Sequence, residues 1–443
     1  MNGWRNEALG SGSTQILDGD RGKNYPSKQQ LLPAGDCLFL SATNVTKRGF
    51  DFSKCEFISA DRDSLLRKGK LARFDSVLTT RGTVGNVAYF GPTVPFEHVR
   101  INSGMVIIRP DKAQISSEFL SFFLRSELFS DQIASLTSGS AQPQLPIRDL
   151  RHVQLPVPPI EEQREIAAIL GTLDDKIELN RKTAATLEAM ARALYRSWFV
   201  DFDPVWAKTE GRPPAHMAPA TAALFPDSFG DDGLPVGWRM ARIDELCSRI
   251  FSGGTPKTSE GAFWGGEFPW LSSGETRQSL IVDTEKTITD AGIKGSSTRR
   301  ARRGAIVVAS AGQGKTRGQT SYLSIDCYVN QSVIACEADT SVVPDSYLYC
   351  DLQRRYEEFR AISDANSSRG SLTTKMVGGL EVVLPTHEIV EAFDIIVAPM
   401  IARLINNARE NKTLATLRDT LLPRLMSGEL RVGEARELAE EVA

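Results

Sequence analysis

Long hydrophobic runs, cysteine motifs and histidine clusters are all missing from this chain of 443 residues. No stretch approaches the roughly eighteen uninterrupted apolar residues of a membrane-spanning helix, and the N-terminus lacks a basic-then-apolar signal pattern. The six cysteines form no Cys-x-x-Cys pair and the four histidines are scattered, which argues against a Cys/His metal site. We therefore expect a soluble, cytoplasmic protein with reduced thiols and no membrane association.

Catalytic signatures are also absent. We find no Ser-His-Asp grouping and no His/Glu spacing that would hold a catalytic metal. The segment 202–206, Phe-Asp-Pro-Val-Trp, faintly resembles an amino-methyltransferase motif, but it lacks the second proline. No Gly-rich strand-to-helix turn for S-adenosylmethionine accompanies it. The sequence therefore favours a chain that is not itself an enzyme.

An internal repeat is the strongest positive feature. Each half contains a heptad pattern of apolar residues spaced alternately by four and three positions, as in helices that pack along their length. We call each pattern an apolar ladder and each of its core positions a rung. The two ladders superpose at a constant offset of 227 positions, so that Leu187 corresponds to Leu414. Both place asparagine on the same rung, Asn180 and Asn407, and a polar core residue fixes register at some cost in stability. We predict two long paired helices.

The repeat extends upstream of the helices. Residues 39–41 match 270–272, and the strand-like run 76–80 matches 305–310. Each half is therefore predicted to be an α+β globular region with a mixed, twisted sheet, followed by one long helix. The predicted boundaries are 1–155 and 233–384 for the globular regions, 156–232 for the first helix with a connector, and 385–443 for the second helix with a C-terminal tail.

Local patterns give more detailed expectations. Strands are predicted at 77–80, 84–90, 105–108, 306–308 and 333–335, and helices at 117–124 and 344–359. Pro399 is expected to kink or interrupt the second long helix, as is the matching point Thr172 beside Gly171 in the first. The connector 202–234 is predicted to be ordered to extended, and the acidic tail 433–443 to fray.

Charge is unevenly distributed although the net charge is only −3. Residues 1–155 carry 19 Lys and Arg against 15 Asp and Glu, whereas residues 156–232 carry 8 against 13. This pattern suits nucleic acid on the globular regions and protein on the helices. Taken alone it is a weak signal, because solvated surfaces produce similar differences.

The segment 309–316, Ala-Ser-Ala-Gly-Gln-Gly-Lys-Thr, nearly matches a phosphate-binding P-loop. A P-loop must run from a strand into a helix whose amides face the phosphates. Here a hairpin-like alternation follows, and the corresponding loop at 81–86 lacks the lysine. We therefore favour Gly-rich loops that bring polar side chains close to another molecule's backbone.

Basic and polar loops recur at matching places in the two halves. Residues 67–73 and 298–303 are Arg/Lys-rich and suit phosphate contacts, while 138–144 and 367–371 are short and polar. A solvated loop is the alternative interpretation of each basic run, and their recurrence at the same place disfavours it. Arginine and glutamine can pair with guanine and adenine edges. The predicted DNA-binding residues are Arg81, Thr83, Asn86, Ser140, Gln142, Gln144, Arg300, Gln313, Lys315, Arg317 and Arg369.

Seven further segments are distinctive: 155–163 (LPVPPIEEQ), 173–180 (LDDKIELN), 197–204 (SWFVDFDP), 225–229 (FPDSF), 234–238 (LPVGW), 252–257 (SGGTPK) and 421–428 (LLPRLMSG). With them the chain resembles the specificity subunit of type I restriction–modification enzymes over essentially its whole length. A departure is that Glu388-Ile389-Val390 replaces the Glu-Glu-Gln of the first helix. Together the segments are specific, although no single one would be.

The resemblance implies two target-recognition domains, each reading half of a bipartite DNA site, held apart by antiparallel long helices. It also implies that two modification subunits dock on this chain and methylate adenine at N6, and that restriction subunits add translocation and cleavage. S-adenosylmethionine, ATP and magnesium are then expected on those partners, and none on this chain. Two alternatives stay open: a nucleotide-hydrolysing enzyme that uses 309–316, and a scaffold that binds protein only.

Overall fold

The structure is a computed structural model that describes residues 4–139, 143–312, 314–366 and 370–440. The chain divides into two compact units, Met1–Ile177 with Lys412–Ala443, and Glu178–Asn411. Each unit therefore contains one strand-rich region and part of both long helices. In the described part of the chain, no helix is both long and apolar enough to cross a membrane.

The strands of the first unit come first along the chain. They are β1 Arg5–Ala8, β2 Thr14–Asp18, β3 Cys37–Leu40, β4 Val45–Thr46, β5 Gly49–Phe50, β6 Phe57–Ile58, β7 Ser76–Thr79, β8 Val87–Tyr89, β9 Val99–Ile101, β10 Met105–Pro110 and β11 Gln154–Val157. Those of the second unit are β12 Arg239–Arg242, β13 Cys247–Ser252, β14 Trp264–Leu271, β15 Leu280–Ile281, β16 Lys286–Ile288, β17 Arg299–Ala301, β18 Ile306–Ala309, β19 Thr320–Leu323, β20 Cys327–Val329, β21 Val333–Ala338 and β22 Glu381–Leu384.

Helices complete each unit. They are α1 Ala60–Leu65, α2 Ser117–Leu124, α3 Glu127–Leu136, α4 Ile147–Leu150, α5 Ile160–Phe199, α6 Asp203–Thr209, α7 Pro219–Leu224, α8 Asp290–Lys294, α9 Asp345–Arg354, α10 Tyr356–Asn366, α11 Thr374–Gly378, α12 His387–Met426 and α13 Val432–Glu440. The predicted helix at 117–124 is confirmed, and Ser116 caps it by accepting from the amide of Phe119.

The sheets confirm the predicted α+β repeat. In the first unit the strand orders are β2-β10-β7-β8 and β6-β3-β9, and in the second they are β13-β21-β18-β19-β15 and β16-β14-β20-β17. Strand β3 runs parallel to β9 with Leu40 opposite Ile101, and β14 runs parallel to β20 with Leu271 opposite Val329. The segments matched by sequence, 39–41 and 270–272, therefore occupy the same place in their sheets.

Two glycines allow the same close approach in both units. A β-carbon on Gly19 would lie 2.4 Å from the carbonyl oxygen of Asn102, and one on Gly253 would lie 1.8 Å from that of Val329. Any side chain would displace a neighbouring backbone at these positions. Glycine is therefore required just after β2 and just after β13.

The two long helices pair antiparallel, as predicted. In the first unit the beginning of α5 and the end of α12 share one hydrophobic core, which includes Leu170, Leu173 and Leu421. In the second unit the end of α5 and the beginning of α12 share another, which includes Trp198 and Phe393. Burying each such side chain contributes roughly 1.5–3 kcal/mol.

The asparagines predicted on core rungs are both buried. The side-chain amide of Asn180 donates to Glu410 at 2.8 Å and to the side-chain oxygen of Asn411 at 3.1 Å, so it bonds across to the other helix. The amide of Asn407 points at the carbonyl oxygen of Asn180 from 3.5 Å. This polar layer lies within the second unit.

The predicted interruption at Pro399 and at Thr172 is wrong, because α12 continues through Pro399 and α5 continues through Gly171 and Thr172. Proline removes one amide donor from a helix. Pro399 lies exposed, so water can satisfy the carbonyl that lost its partner. The hydroxyl of Thr172, likewise exposed, donates to the carbonyl of Ala168 at 2.9 Å.

Two predicted elements are shorter than expected. The strand predicted at 84–90 begins only at Val87, because Gly85 adopts φ +94° and its amide donates back to Thr79. The helix predicted at 344–359 is divided at Arg355 into α9 and α10.

The connector is ordered, as expected, whereas the C-terminal tail is more ordered than expected. The connector contains the short helices α6 and α7, and its Phe225 is buried against Trp198. The tail forms α13 up to Glu440, with Val432 and Ala435 buried in the first unit. The prediction of a fraying tail is therefore wrong for these residues, because small and apolar side chains anchor them.

Candidate nucleic-acid interface

The same hydrogen-bond frame holds two loops together in each unit. In the first unit the amide of Thr80 donates to Gly104 at 2.8 Å, and the carbonyl of Thr80 accepts from the amide of Leu145 at 2.9 Å. In the second unit Ser310 donates to Ser332 at 2.9 Å and accepts from Leu372 at 2.8 Å. The Gly-rich loop after the central strand, β7 or β18, therefore meets the polar loop that precedes the last strand.

The first frame gathers several predicted residues. Arg81 and Gln144 face each other in an isolated antiparallel bridge, and Gly82 donates to the carbonyl of Pro143 at 3.1 Å. Gln144 also exchanges two backbone hydrogen bonds of 2.9 Å with Ser138, which closes the polar loop. Arg81, Thr83 and Gln144 thus belong to one surface formed by two adjoining loops.

Threonine and asparagine side chains shape the first Gly-rich loop. The hydroxyl of Thr79 donates to the carbonyl of Thr83 and accepts from the amide of Asn86 at 3.0 Å. The side-chain amide of Asn86 donates to the carbonyl of Val45 at 2.9 Å. Thr83 is exposed, whereas Asn86 is partly buried and ties its loop to strand β4.

The second frame gathers Lys315 and Arg317. Lys315 is exposed, and its carbonyl accepts from the hydroxyl of Tyr356 at 3.1 Å. The guanidinium of Arg317 donates to the carbonyl of Gly370 at 2.6 Å and to Asp364, so it fastens the polar loop to the Gly-rich loop. Only 13% of the Arg317 side chain is exposed. Lys315 is therefore the more accessible cation of the two.

Arg300 lies elsewhere, on strand β17 of a different sheet. Its guanidinium pairs with Asp326 at 2.9 Å, and 63% of its side chain is exposed. The amide of Arg303 and the side chain of Arg300 both donate to Asp326 and lower the pKa of that carboxyl. The basic run 298–303 is thus partly committed to internal partners, since Arg302 also pairs with Asp345 at 2.7 Å.

The corresponding basic run of the first unit, 67–73, is likewise partly committed to internal partners. Lys70 pairs with Asp63 at 2.6 Å. Arg73 donates to the carbonyls of Gly91 and Val94 at 2.9 and 3.0 Å. Recurrence of these basic runs in the sequence therefore reflects internal bonds as well as exposed charge.

Four predicted residues, Ser140, Gln142, Gln313 and Arg369, lie outside the described residues.

Sequence reasoning missed Arg277, whose guanidinium donates to the hydroxyl of Thr316 at 3.1 Å in the second frame. It also missed Lys47 and Arg48, exposed between β4 and β5 beside the first frame. The signal available for these two was a basic pair followed by glycine, between Val45 and Phe50.

The loop 309–316 does not have P-loop geometry. Strand β19 follows Thr316 after a short turn, where a phosphate cradle would need a helix. Among the described residues, no group of three or more His, Cys, Asp or Glu side chains could hold a metal ion.

Comparison with known proteins agrees with this geometry. The family model described as "Type I restriction modification DNA specificity domain" matches residues 15–189 and 235–412, one match in each half. The HindI specificity subunit of Haemophilus influenzae is 27% identical, over 97% of this chain and 100% of that protein. The MjaIX specificity subunit of Methanocaldococcus jannaschii is 24% identical, over 81% and 78%.

The fold has a solved counterpart. The S subunit of a type I restriction–modification system from M. genitalium superposes with a TM-score of 0.61 at 16% identity, covering 95% of this chain and 96% of that one. Because the family model matches both halves of the sequence, the chain belongs to the type I restriction–modification DNA specificity family.

Proposed function

We propose that this chain is the subunit that reads DNA sequence for a type I restriction–modification enzyme. Each globular region, 1–155 and 233–384, recognises one half of a bipartite, asymmetric site. The chain thereby directs adenine methylation and restriction, which partner subunits perform. Family membership supports the role, and the duplicated loop frame supports the division into two half-sites.

The single observation that carries the proposal is that both units have the same main-chain hydrogen-bond frame but display different side chains on it. Main-chain bonds from Leu145 to Thr80 and from Leu372 to Ser310 set the two loops alike. The residues displayed differ, with Arg81 in one unit and Lys315 in the other. Like frames favour like approaches to DNA, while unlike side chains favour different bases.

The predicted contacts have distinct roles in this proposal. Arg81 and Gln144 are suited to base edges, because guanidinium and amide groups form bidentate pairs. Lys315 and Arg300 are suited to phosphates as exposed cations. Arg317 and Asn86 act mainly by holding the loops, since their polar groups already bond to Gly370, Asp364 and Val45.

The chemistry is assigned to partners. We propose that the chain is not catalytic and binds no cofactor, and that two modification subunits bring S-adenosylmethionine. Restriction and translocase subunits bring ATP and magnesium. Nucleotide hydrolysis by the 309–316 loop is not supported, because that loop joins two strands. A protein-only scaffold is not supported either, since the family is one of DNA specificity proteins.

Modified-base sequencing tests the proposal. DNA from cells that express this chain with its methyltransferase subunit should carry N6-methyladenine in two unlike half-sites separated by a fixed gap. Cells that express the methyltransferase subunit alone provide the control. Methylation that is absent, or that is independent of this chain, would contradict the proposed function.

A further inference from the structure

A short hairpin in the first unit displays a basic pair at its tip. Strands β4 and β5 pair with Val45 opposite Phe50 and Thr46 opposite Gly49, so Lys47 and Arg48 form the turn. The hydroxyl of Thr46 donates to the carbonyl of Gly49 at 3.0 Å and accepts from the amide of Arg48 at 3.1 Å. Gly49 adopts φ +104°, a conformation that glycine permits. The turn is therefore held in one shape.

The base of the hairpin is anchored firmly. Asn44 is buried, and its side-chain amide donates to the carbonyls of Asp51 and Lys54 at 2.9 and 2.7 Å. The ring of Phe50 stacks on that of Phe52, with centroids 5.4 Å apart. An amide and an aromatic stack therefore fix the base of the hairpin, whose tip residues are exposed.

The hairpin is tied to the first loop frame. The hydrogen bond from the Asn86 side chain to the Val45 carbonyl joins β4 to the Gly-rich loop that carries Arg81 and Thr83. The turn residues thus lie beside the surface already assigned to DNA. Displacement of either element would break this bond.

The two cations at the tip are available to a ligand. Lys47 and Arg48 are both exposed. In the described part of the chain, neither side chain forms an ion pair with a carboxylate. This distinguishes them from Arg73, Arg300 and Arg317, whose guanidinium groups have internal acceptors.

The second unit has a different element at the matching place. In the first unit the segment 39–41 is followed by a 3₁₀ turn, Ala42–Asn44, and then by the hairpin, whereas in the second unit strand β15 comes after the corresponding turn, Glu275–Arg277. There Arg277 uses its own guanidinium to hold the loop through Thr316, at 3.1 Å. The cation near this place in the second unit, Arg277, is therefore bonded internally, whereas Lys47 and Arg48 of the first unit are exposed.

We propose that Arg48 is a specificity-determining residue for the half-site read by the first unit. The hairpin enters the major groove, which admits a two-stranded ribbon, and Arg48 pairs with a guanine edge there. Lys47 contacts a neighbouring phosphate. This inference rests on the proposed function and adds a reading element that lies outside the Gly-rich and polar loops.

The experiment compares Arg48→Ala, Arg48→Lys and Lys47→Ala in the complex with the methyltransferase subunit. Arg5→Ala, an exposed arginine of the same unit on β1, is the matched control. We expect Arg48→Ala to relax one base position of one half-site, lowering discrimination there roughly 5- to 150-fold. Arg48→Lys should not restore it, because lysine lacks the bidentate fork. Lys47→Ala should weaken binding to all sequences and reduce its salt dependence.

The outcomes separate this inference from the proposed function. An unchanged methylation motif with Arg48→Ala would overturn the assignment, while wild-type methylation of a bipartite site would leave the proposed function intact. A uniform loss of affinity without relaxed specificity would also overturn it, because that result marks Arg48 as a phosphate contact. If the wild-type complex methylates no bipartite site, the proposed function itself fails.

Discussion

Gly253 faces the carbonyl oxygen of Val329 so closely that a β-carbon on Gly253 would lie 1.8 Å from that oxygen. The same relationship joins Gly19 to Asn102 in the first unit. These contacts place β13 against the end of β20, and β2 against the end of β9. The amide of Gly253 also donates to the carbonyl of Asn330 at 3.2 Å, two residues before Ser332 of the second frame.

Gly253→Ala should therefore destabilise the second unit. A β-carbon forces the backbone of Val329 to move, and such overpacking costs about 1–3 kcal/mol. Chemical denaturation measures the loss. Gly261→Ala is the control, since a β-carbon there meets no atom within 4 Å. Equal stability of the two variants would contradict this account of the close approach.

Asp351 is fully buried and holds a network that joins α9 to α5 in the second unit. It accepts from the hydroxyl of Tyr195 at 3.0 Å and from Arg355 at 2.5 Å. Asp351→Asn should cost up to about 3–5 kcal/mol, because the buried guanidinium of Arg355 then keeps only the half-exposed carboxylate of Glu358, at 2.8 Å, as a charged partner. Tyr195→Phe removes one hydrogen bond and should cost only about 0.5–1.5 kcal/mol. Denaturation curves of the two variants that coincide would refute the role of the charge.

Glu337 makes the folding stability of the second unit depend on pH in the acidic range. Burial raises the pKa of this carboxyl, but hydrogen bonds from Arg249 and the amide of Arg302 outweigh that effect, so the pKa lies below its ordinary 4.5. The stabilisation is complete above pH 4.5 and is lost as pH falls through the lowered value. Glu337→Gln should flatten this part of the pH–stability curve. Glu267→Gln, at an exposed site, controls for the substitution, and equal acid sensitivity of wild type and Glu337→Gln would contradict the prediction.

Arg81→Ala tests the first loop frame. If Arg81 reads guanine, its loss should weaken or relax one half-site by roughly 1–3 kcal/mol and leave the other half-site unchanged. Methylation mapping and competition binding measure both. Arg81→Lys keeps the charge and separates base reading from phosphate contact. An unchanged preference at both half-sites removes Arg81 from the interface.

Inserting or deleting one heptad in α5 should change the gap between the half-sites and preserve the half-sites themselves. Seven residues add about 10 Å of helix at roughly 1.5 Å per residue, which corresponds to about three base pairs of duplex. The control is a variant in which the exposed residues of one heptad of α5 are replaced and the length of the helix is unchanged. If methylation mapping of the insertion variant still showed the original gap, the length of α5 would not set the distance between the half-sites.

The sequence predicted what regular spacing encodes. The heptad ladders located both long helices and their buried asparagines, Asn180 and Asn407. The sequence-based prediction failed where a single hydrogen bond determines the backbone conformation. At Gly85 the amide donates back to the carbonyl of Thr79, and this bond shortens the predicted strand. The hairpin at Lys47 escaped notice because its strands are too short to show alternation. Asn86 stays a predicted DNA-binding residue, and its bond to Val45 is a structural contact that the sequence alone could not reveal.

The bonds from Leu145 to Thr80 and from Leu372 to Ser310 join only main-chain atoms. They make no demand on the side chains of the loops they fasten. On the proposed function, substitutions at exposed positions of these loops, such as Thr83 and Lys315, would change the side chains offered to DNA while these main-chain bonds remain. If those side chains read bases, as proposed, a new recognition sequence is reachable by single substitutions that leave the anchoring bonds intact.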